Sequence, residues 1–203
     1  PFSFDNSINL DIWFAISVSK LLLWFFRIFT TWFPVVEKVS NPYNLNYLGH
    51  EDNIDSNNNP FIALGDNGIR RKIYEKLRAN NIFLNTTLIH SNTTISKSSL
   101  IEEQTFISAG VIINPQVKIG VGSIINTGAI IEHDCSIGKF NHIAPGAVLA
   151  GNVSIGSGCL IGANAVIKQG VKIGDNVIVG AGAVVLKGVN SNTIFVGNPA
   201  KQI

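Results

Sequence analysis

Residues 113–154 read, in blocks of six, INPQVK IGVGSI INTGAI IEHDCS IGKFNH IAPGAV LAGNVS. Every block opens with isoleucine or leucine, and aliphatic residues at this spacing continue without a break from Ile89 to Val185. A period of six fits neither an amphipathic helix nor a simple alternating strand. It is the signature of a β-helix built from hexapeptide repeats, so the sequence predicts a mainly β fold of this type.

The fourth residue of most blocks is glycine, asparagine or aspartate, the residue types that most readily adopt positive φ. A chain that turns a corner once per block needs such a residue at each corner. We expect the aliphatic first residues to point into the axis and three blocks, about eighteen residues, to close one coil. The fourth positions are Gly110, Gly122, Gly128, Asp134, Gly146, Asn152, Gly158, Asn164, Gly170, Asn176, Gly182 and Gly188.

Composition excludes several classes of function. Only 14% of the 203 residues are charged and the net charge is +2, so no basic surface for nucleic acid is expected. Residues 8–36 are strongly apolar, but Lys20 and Arg27 interrupt them, so stable membrane insertion is not expected. No basic segment precedes this stretch, which disfavours a signal peptide and predicts a cytoplasmic protein.

The chain before the repeat has a different pattern. An apolar run at Phe61–Leu64 is followed by Gly65-Asp66-Asn67-Gly68 and then by a helical pattern, which predicts a strand–loop–helix unit. Such a loop can bind phosphate or sugar at the helix N-terminus, or it can be an ordinary connection. The predicted organisation is an α/β acceptor domain over residues 1–84, a β-helix over 85–188 and a tail over 189–203.

One stacked pair of residues indicates a site. His133 is the third residue of its block, at a position that faces solvent, and Gly151 follows eighteen residues later, at the same position one coil above. Strand spacing places the two about 5 Å apart along the axis. An imidazole beside an accessible backbone N–H is suitable geometry for a general base next to an oxyanion donor.

The repeat resembles that of a known superfamily. Blocks that begin with an aliphatic residue and glycine, such as Ile119-Gly120 and Ile137-Gly138, resemble the repeat of the left-handed β-helix acyltransferases. The stretches Glu132-His133-Asp134, Ala150–Val153 and Val196–Lys201 resemble the bacterial sugar acetyltransferases that act on sialic acids or on nucleotide-linked 4-amino sugars. The resemblance covers roughly residues 60–203 and implies a left-handed parallel β-helix preceded by a small α/β domain.

The resemblance also implies catalytic roles. His133 would take the proton from the attacking amine or hydroxyl, and Asp134 would orient the imidazole, as the acid of a catalytic triad does. Asp134 also occupies a corner position where its conformation alone could explain it. The Gly151 N–H would polarise the thioester carbonyl of acetyl-CoA.

Binding roles follow from the same resemblance. His142 would contact acetyl-CoA near the thioester, and Ala163 and Ala181 would form a small-residue track for its pantetheine arm, although alanine there could equally pack against another subunit. The family is trimeric, with the cofactor in the groove between neighbouring subunits. Gly65, Asp66, Asn67 and Arg70, from the end of the sugar-nucleotide domain, would bind the acceptor.

The predicted function is therefore acetyl-CoA-dependent acetylation of an amino group on a nucleotide-linked amino sugar in surface polysaccharide or glycan biosynthesis. Sugar O-acetylation and a non-catalytic assembly scaffold are the alternatives. A zinc hydratase on the same fold is disfavoured because only His133 and His142 lie within the middle of the repeat, and no metal is expected. Residues 1–40 lack the Gly-rich turn that usually opens the family's N-terminal domain, since no glycine precedes Gly49.

Overall fold

The computed structural model describes residues 60–203 and the backbone of one earlier strand, Phe14–Ala15, which pairs antiparallel with Phe61–Ile62. Apart from that strand, the apolar stretch of residues 8–36 and the missing Gly-rich motif of residues 1–40 lie outside the described residues. Within the described part of the chain, no helix has the length and apolarity needed to cross a membrane.

The predicted parallel β-helix is confirmed. Each block contributes a two-residue strand that pairs in parallel with strands eighteen residues before and after it, so that Ile130 lies between Ile112 and Val148. The strands form three sheets, here named faces A, B and C. Face A comprises Leu88–Ile89, Phe106–Ile107, Ile124–Ile125, His142–Ile143, Leu160–Ile161, Ile178–Val179 and Ile194–Val196, with Lys201–Gln202 added antiparallel. Face B comprises Thr94–Ile95, Ile112–Ile113, Ile130–Ile131, Val148–Leu149, Val166–Ile167 and Val184–Val185. Face C comprises Leu100–Ile101, Lys118–Ile119, Ser136–Ile137, Ser154–Ile155 and Lys172–Ile173.

The aliphatic column forms the core. From Ile107 to Val185 the first residue of every block is at most 4% exposed. On the first coil, which has no coil beneath it in residues 60–203, Ile95 and Ile101 are only partly buried and Ile89 is 50% exposed. Continuous burial of aliphatic side chains along the axis supplies the hydrophobic stabilisation of the fold.

Three corner columns connect the faces. The AB corner contains residues 144–147, the BC corner 132–135 and the CA corner 138–141, each with its equivalents eighteen residues away. The predicted positive φ is found at each of the fourth positions named above except Gly188, where the prediction is wrong. The repeat ends there, and Val189 retains only an isolated bridge to Ile173. Gln104, Gln116 and Phe140 also have positive φ, which the sequence did not indicate.

The predicted strand–loop–helix unit is confirmed as well. Strand Phe61–Ile62 leads through a short loop into helix α1, Asn67–Ala79. The inner side of α1 buries Ile73 and Leu77. Tyr74 meets Phe140 edge-on at a ring-centroid distance of 5.4 Å, so the helix lies against the CA corner.

Candidate active site

His133 and Asp134 form a hydrogen-bonded pair at the BC corner. The His133 Nδ1 lies 2.8 Å from the Asp134 Oδ2, and the two side chains are 54% and 56% exposed. Because a carboxylate only accepts hydrogen bonds, Nδ1 must donate, and a neutral imidazole then keeps its lone pair on Nε2. Asp134 also has φ +62°, so it serves both as the corner residue and as the partner of the imidazole.

Gly151 lies directly over the imidazole. The Asn152 N–H donates to the His133 carbonyl at 2.8 Å, which confirms the predicted stacking of the two coils. A Cβ on Gly151 would lie 2.8 Å from both Cε1 and Nε2 of the ring, so only glycine leaves room for it. Among residues 60–203 the Gly151 N–H has no acceptor, whereas the Ser157 N–H, at the same position in the next block, donates to Asp175 at 2.6 Å. At this corner the His133 Nε2 can therefore accept a proton, and the Gly151 N–H beside it can donate a hydrogen bond to a ligand.

Arg70 joins the loop before α1 to the β-helix. It is 1% exposed, and all five of its N–H groups have acceptors. These acceptors are the Gly122 carbonyl (2.6 Å), the Leu64 and Gly65 carbonyls (2.8 and 3.1 Å), the Asn67 Oδ1 (2.6 Å) and the Asn141 carbonyl (3.2 Å). Burial lowers the pKa of Arg70 to about 10, with the Asp66 carboxylate opposing, so the side chain remains a cation at neutral pH. The structure thus gives Arg70 a different task from the predicted contact with the acceptor, since no N–H is left to donate to a ligand.

The rest of the loop faces outward. The Asp66 side chain accepts from the Ile69 N–H at 2.8 Å and so caps α1. The Asn67 Nδ2 donates to the Cys159 carbonyl at 2.9 Å, which makes a second link to the CA corner. Gly65 and Asp66 are exposed, and this part of the loop is accessible to a ligand.

His142 lies on face A between the loop and the preceding coil. The Asn126 Nδ2 is 3.1 Å from the His142 Nε2, and the Thr127 N–H donates to the Asn126 Oδ1 at 2.8 Å, which fixes the orientation of the amide. The Nε2 atom must then accept, and the ring proton lies on Nδ1, where it can donate to the Gly65 carbonyl. Burial and the Arg70 charge lower the pKa of His142, while that backbone hydrogen bond opposes them. His142 is therefore neutral at pH 7.

Asn126 was missed at the sequence level. It occupies the AB corner one coil below residue 144, where its amide can reach the neighbouring strand of face A, and eighteen-residue counting could have placed it beside His142. Both ring nitrogens of His142 are engaged within the chain. Its contact with acetyl-CoA stays a prediction, and such a contact would involve the edge or the face of the ring.

Ala163 and Ala181 form a separate column at the AB corner. The Gly182 N–H donates to the Ala163 carbonyl at 2.8 Å, which confirms that the two blocks stack. Ala163 is half-buried and Ala181 is exposed. Only methyl groups cover the backbone at these two positions.

The predicted site residues thus form three clusters in one protomer. His133, Asp134 and Gly151 lie together at the BC corner, the loop from Gly65 to Arg70 lies beside His142, and the two alanines lie at the AB corner. Within residues 60–203, no three His, Cys, Asp or Glu side chains are grouped as metal ligands would be.

Comparison with known proteins places the chain. A family model described as "Hexapeptide repeat of succinyl-transferase" matches residues 152–187. The chain is similar to PerB from Caulobacter crescentus, solved with CoA and GDP-perosamine, at 40% identity over 70% of this chain and 69% of that one, with a TM-score of 0.69. It is also similar to the acetyltransferase domain of PglB from Neisseria gonorrhoeae, solved with acetyl coenzyme A, at 37% identity over 70% and 69% of the two chains, with a TM-score of 0.68.

A third similar structure is WeeI from Acinetobacter baumannii, at 32% identity over 70% of this chain and 69% of that one, with a TM-score of 0.67. In all three comparisons the sequence identity is above 30%, and the match spans more than two thirds of each of the two chains. Three observations indicate the same family: the match in fold, the level of identity, and the His133–Asp134 pair with Gly151 above it. The chain belongs to the bacterial sugar acetyltransferases of the hexapeptide-repeat superfamily and is an acyltransferase.

Proposed function

We propose that this protein transfers the acetyl group of acetyl-CoA to the amino group of a nucleotide-linked amino sugar, in the biosynthesis of a surface polysaccharide or glycan. The similarity to PerB, solved with GDP-perosamine, supports an amino-sugar acceptor, and the PglB domain solved with acetyl coenzyme A supports the co-substrate. Both substrates are cytoplasmic metabolites, so we place the reaction in the cytoplasm.

The chemistry follows from the BC corner. The amine of the sugar attacks the thioester carbonyl, and the His133 Nε2 takes the proton that the nitrogen loses. Asp134 holds Nδ1 and stabilises the imidazolium that forms. The Gly151 N–H donates to the oxygen that becomes negative in the tetrahedral intermediate. A C–N bond forms, the C–S bond breaks, and the proton passes from His133 to the departing CoA thiolate.

Acetyl-CoA and the sugar are held by the other two clusters in this proposal. His142 lies near the thioester, Ala163 and Ala181 accompany the pantetheine arm, and Gly65, Asp66 and Asn67 contact the acceptor. The residues fit these ligands, since the alanine column exposes backbone to an extended chain and the loop is accessible at Gly65 and Asp66.

A homotrimer would bring the BC corner of one subunit beside the CA corner of its neighbour. Faces A and B carry apolar outward side chains, including Ile178 (41% exposed) on face A and Ile112 and Val166 (36% and 38%) on face B. Above its first strand, face C carries Lys118, Ser136, Ser154 and Lys172 instead. Two apolar faces and one polar face are what a threefold assembly requires, because each subunit then covers face A of one neighbour and face B of the other.

The observation that carries this proposal is the His133 imidazole held by Asp134 beneath the Gly151 N–H. The test is an acetyl-transfer assay with acetyl-CoA against UDP-, GDP- and CMP-linked sugars, with and without a free amino group. We expect CoA release only with an amino sugar, and the product to be the N-acetyl sugar by mass spectrometry. Transfer to hydroxyl-only sialic acid derivatives would instead establish O-acetylation, and no transfer to any sugar would favour the scaffold.

A further inference from the structure

We propose that Arg70 is a positioning residue for the sugar acceptor: its guanidinium holds the Gly65–Asn67 loop at a fixed place against the coils that carry His142. This inference rests on the proposed function, because the loop matters for turnover only if it contacts the acceptor. Arg70 itself touches neither substrate.

The hydrogen bonds of Arg70 join two parts of the molecule. Two N–H groups donate to carbonyls of the CA corner, at Gly122 and Asn141, which lie on successive coils. The other three return to the loop, at Leu64, Gly65 and the side chain of Asn67. The planar guanidinium presents five donors in fixed directions, so it sets the orientation of the loop as well as its distance from the β-helix.

The chemistry of this contact indicates positioning more than bulk stabilisation. Arg70 is fully buried, yet within residues 60–203 every group that accepts its hydrogen bonds is a neutral carbonyl or amide oxygen. Burying a cation without a bonded carboxylate is costly, and a packed apolar side chain would stabilise the same contact at least as well. The neighbouring Arg71 has the ordinary arrangement, an exposed i,i+4 pair with Glu75 at 2.7 Å.

The contact continues to the site. The Gly65 carbonyl accepts from Arg70 and also has a backbone hydrogen bond with His142. The Asn141 carbonyl that accepts from Arg70 belongs to the residue immediately before His142. Loop, guanidinium and imidazole are therefore one connected set, and a shift of Arg70 would move Gly65 and Asp66 relative to face A.

Docking of α1 onto the β-helix does not depend on Arg70 alone, so Arg70 can be substituted without loss of the folded helix. Phe140 occupies a corner position that is glycine, asparagine or glutamine in the other blocks of the CA corner. Its ring covers Gly122, where an added Cβ would collide with it, and it packs edge-on against Tyr74 of α1. With this apolar contact and the buried Ile73 and Leu77 intact, an Arg70→Lys protein should fold with α1 in place.

The experiment compares the full-length Arg70→Lys and Arg71→Lys proteins with the wild type, using acetyl-CoA and the UDP- or GDP-linked amino sugar on which the wild type is most active. Lysine keeps the charge but has three donors on one nitrogen, so it cannot reach both coils and the loop. In Arg70→Lys we expect the KM for the sugar nucleotide to rise about tenfold, with the KM for acetyl-CoA and kcat within about twofold of wild type. Arg71→Lys should leave all three constants unchanged.

Other outcomes overturn the inference. A lower melting temperature with unchanged kinetic constants would make Arg70 purely structural, and a fall in kcat at unchanged KM would place its effect on the chemical step. If the wild type acetylates no sugar, the proposed function fails, and the positioning role is then read from amide hydrogen exchange. Arg70→Lys must accelerate exchange over residues 64–69 while residues 105–185 keep their protection, and unchanged exchange in the loop would refute it.

Discussion

The BC corner at His133 and the CA corner at Asn141 belong to adjacent blocks of one repeat, yet they treat polar groups in opposite ways. At the BC corner the His133 and Asp134 side chains are about half exposed, and the Gly151 N–H has no acceptor in the described part of the chain. At the CA corner Asn141 is fully buried, and both the nitrogen and the oxygen of its amide have partners: its Nδ2 donates to the Gly156 carbonyl at 2.8 Å and its Oδ1 accepts from the Cys159 N–H at 2.7 Å.

This difference distinguishes residues that serve catalysis from residues that stabilise the fold. A donor or acceptor that is to bind a transition state must be unpaired in the free protein. A buried polar group without a hydrogen-bond partner, by contrast, destabilises the fold. Substitutions at the BC corner should therefore change turnover and leave stability alone, and substitutions at the CA corner should do the reverse.

Replacing His133 with alanine should have the largest effect. The base is lost while the exposed corner keeps its backbone, so we expect kcat to fall about a thousandfold with an unchanged melting temperature. The measurement is steady-state acetyl transfer with circular dichroism on the same sample. His90→Ala is the control, because His90 is exposed and its Nδ1 accepts a local hydrogen bond from Asn92. Near-normal turnover in His133→Ala would remove the BC corner from the mechanism.

Gly151→Ala tests the space above the imidazole. The added Cβ would stand 2.8 Å from the ring, and because the exposed ring can move, the base should be displaced and kcat should fall about a hundredfold. A double-mutant cycle supplies the control: in the His133→Ala background the same change should cost little, since no ring remains to displace. Equal costs in both backgrounds would show that Gly151 acts independently of His133.

Asn141→Val should have its effect on stability. Valine is found at the same inward position two coils above, at Val177, but here it would leave the Gly156 carbonyl and the Cys159 N–H without partners. We expect a loss of about 2–5 kcal/mol in the free energy of unfolding, measured by denaturant titration, with normal kcat in the protein that remains folded. Cys135→Val, at the equivalent inward position of the BC corner between Val117 and Val153, should change stability by less than about 1.5 kcal/mol.

Asp134→Asn should have a smaller effect on turnover. Asparagine adopts the positive φ of this corner as readily as aspartate, so the fold is kept, while the amide stabilises the imidazolium less well. Because the pair is exposed, we expect kcat to fall about tenfold and the melting temperature to stay unchanged. A large loss of stability would mean that the carboxylate serves the corner and not the base.

The pH dependence of stability should report the neutral state of His142. Its pKa is lowered in the folded protein by burial and by Arg70, so the unfolded chain binds more protons as the pH falls through the ordinary histidine range near 6.5. Stability should therefore be lost on acidification below that range and be unaffected above it. Melting temperatures from pH 8 to pH 5 should fall more steeply for the wild type than for His142→Gln, and parallel curves would contradict a neutral His142.

Much of this comparison could be predicted from the sequence because the repeat fixes positions eighteen residues apart. The stacking of Gly151 over His133 and the corner at Asp134 follow from counting. The roles of Arg70 and Asn126 could not be predicted in this way, since they depend on how α1 and the loop dock onto the coils.

The CA corner did carry an unused signal. Its inward positions are Thr105, Ser123, Asn141, Cys159 and Val177, while the AB corner has Val111 followed by four alanines in the same places. The buried Ser123 and Asn141 side chains donate to the Gly138 and Gly156 carbonyls of the next coil, which distinguishes this corner from the alanine-lined AB corner. Phe140, a bulky residue at a position that favours small ones, marks the same corner.

The glycine above the histidine has one more consequence. The base and the amide donor come from consecutive coils, so the distance between the two backbone segments that carry them is set by backbone pairing that recurs along the entire solenoid. The reactive spacing is therefore inherited with the fold itself. Variation in such a protein is confined to the groups that are brought to that spacing.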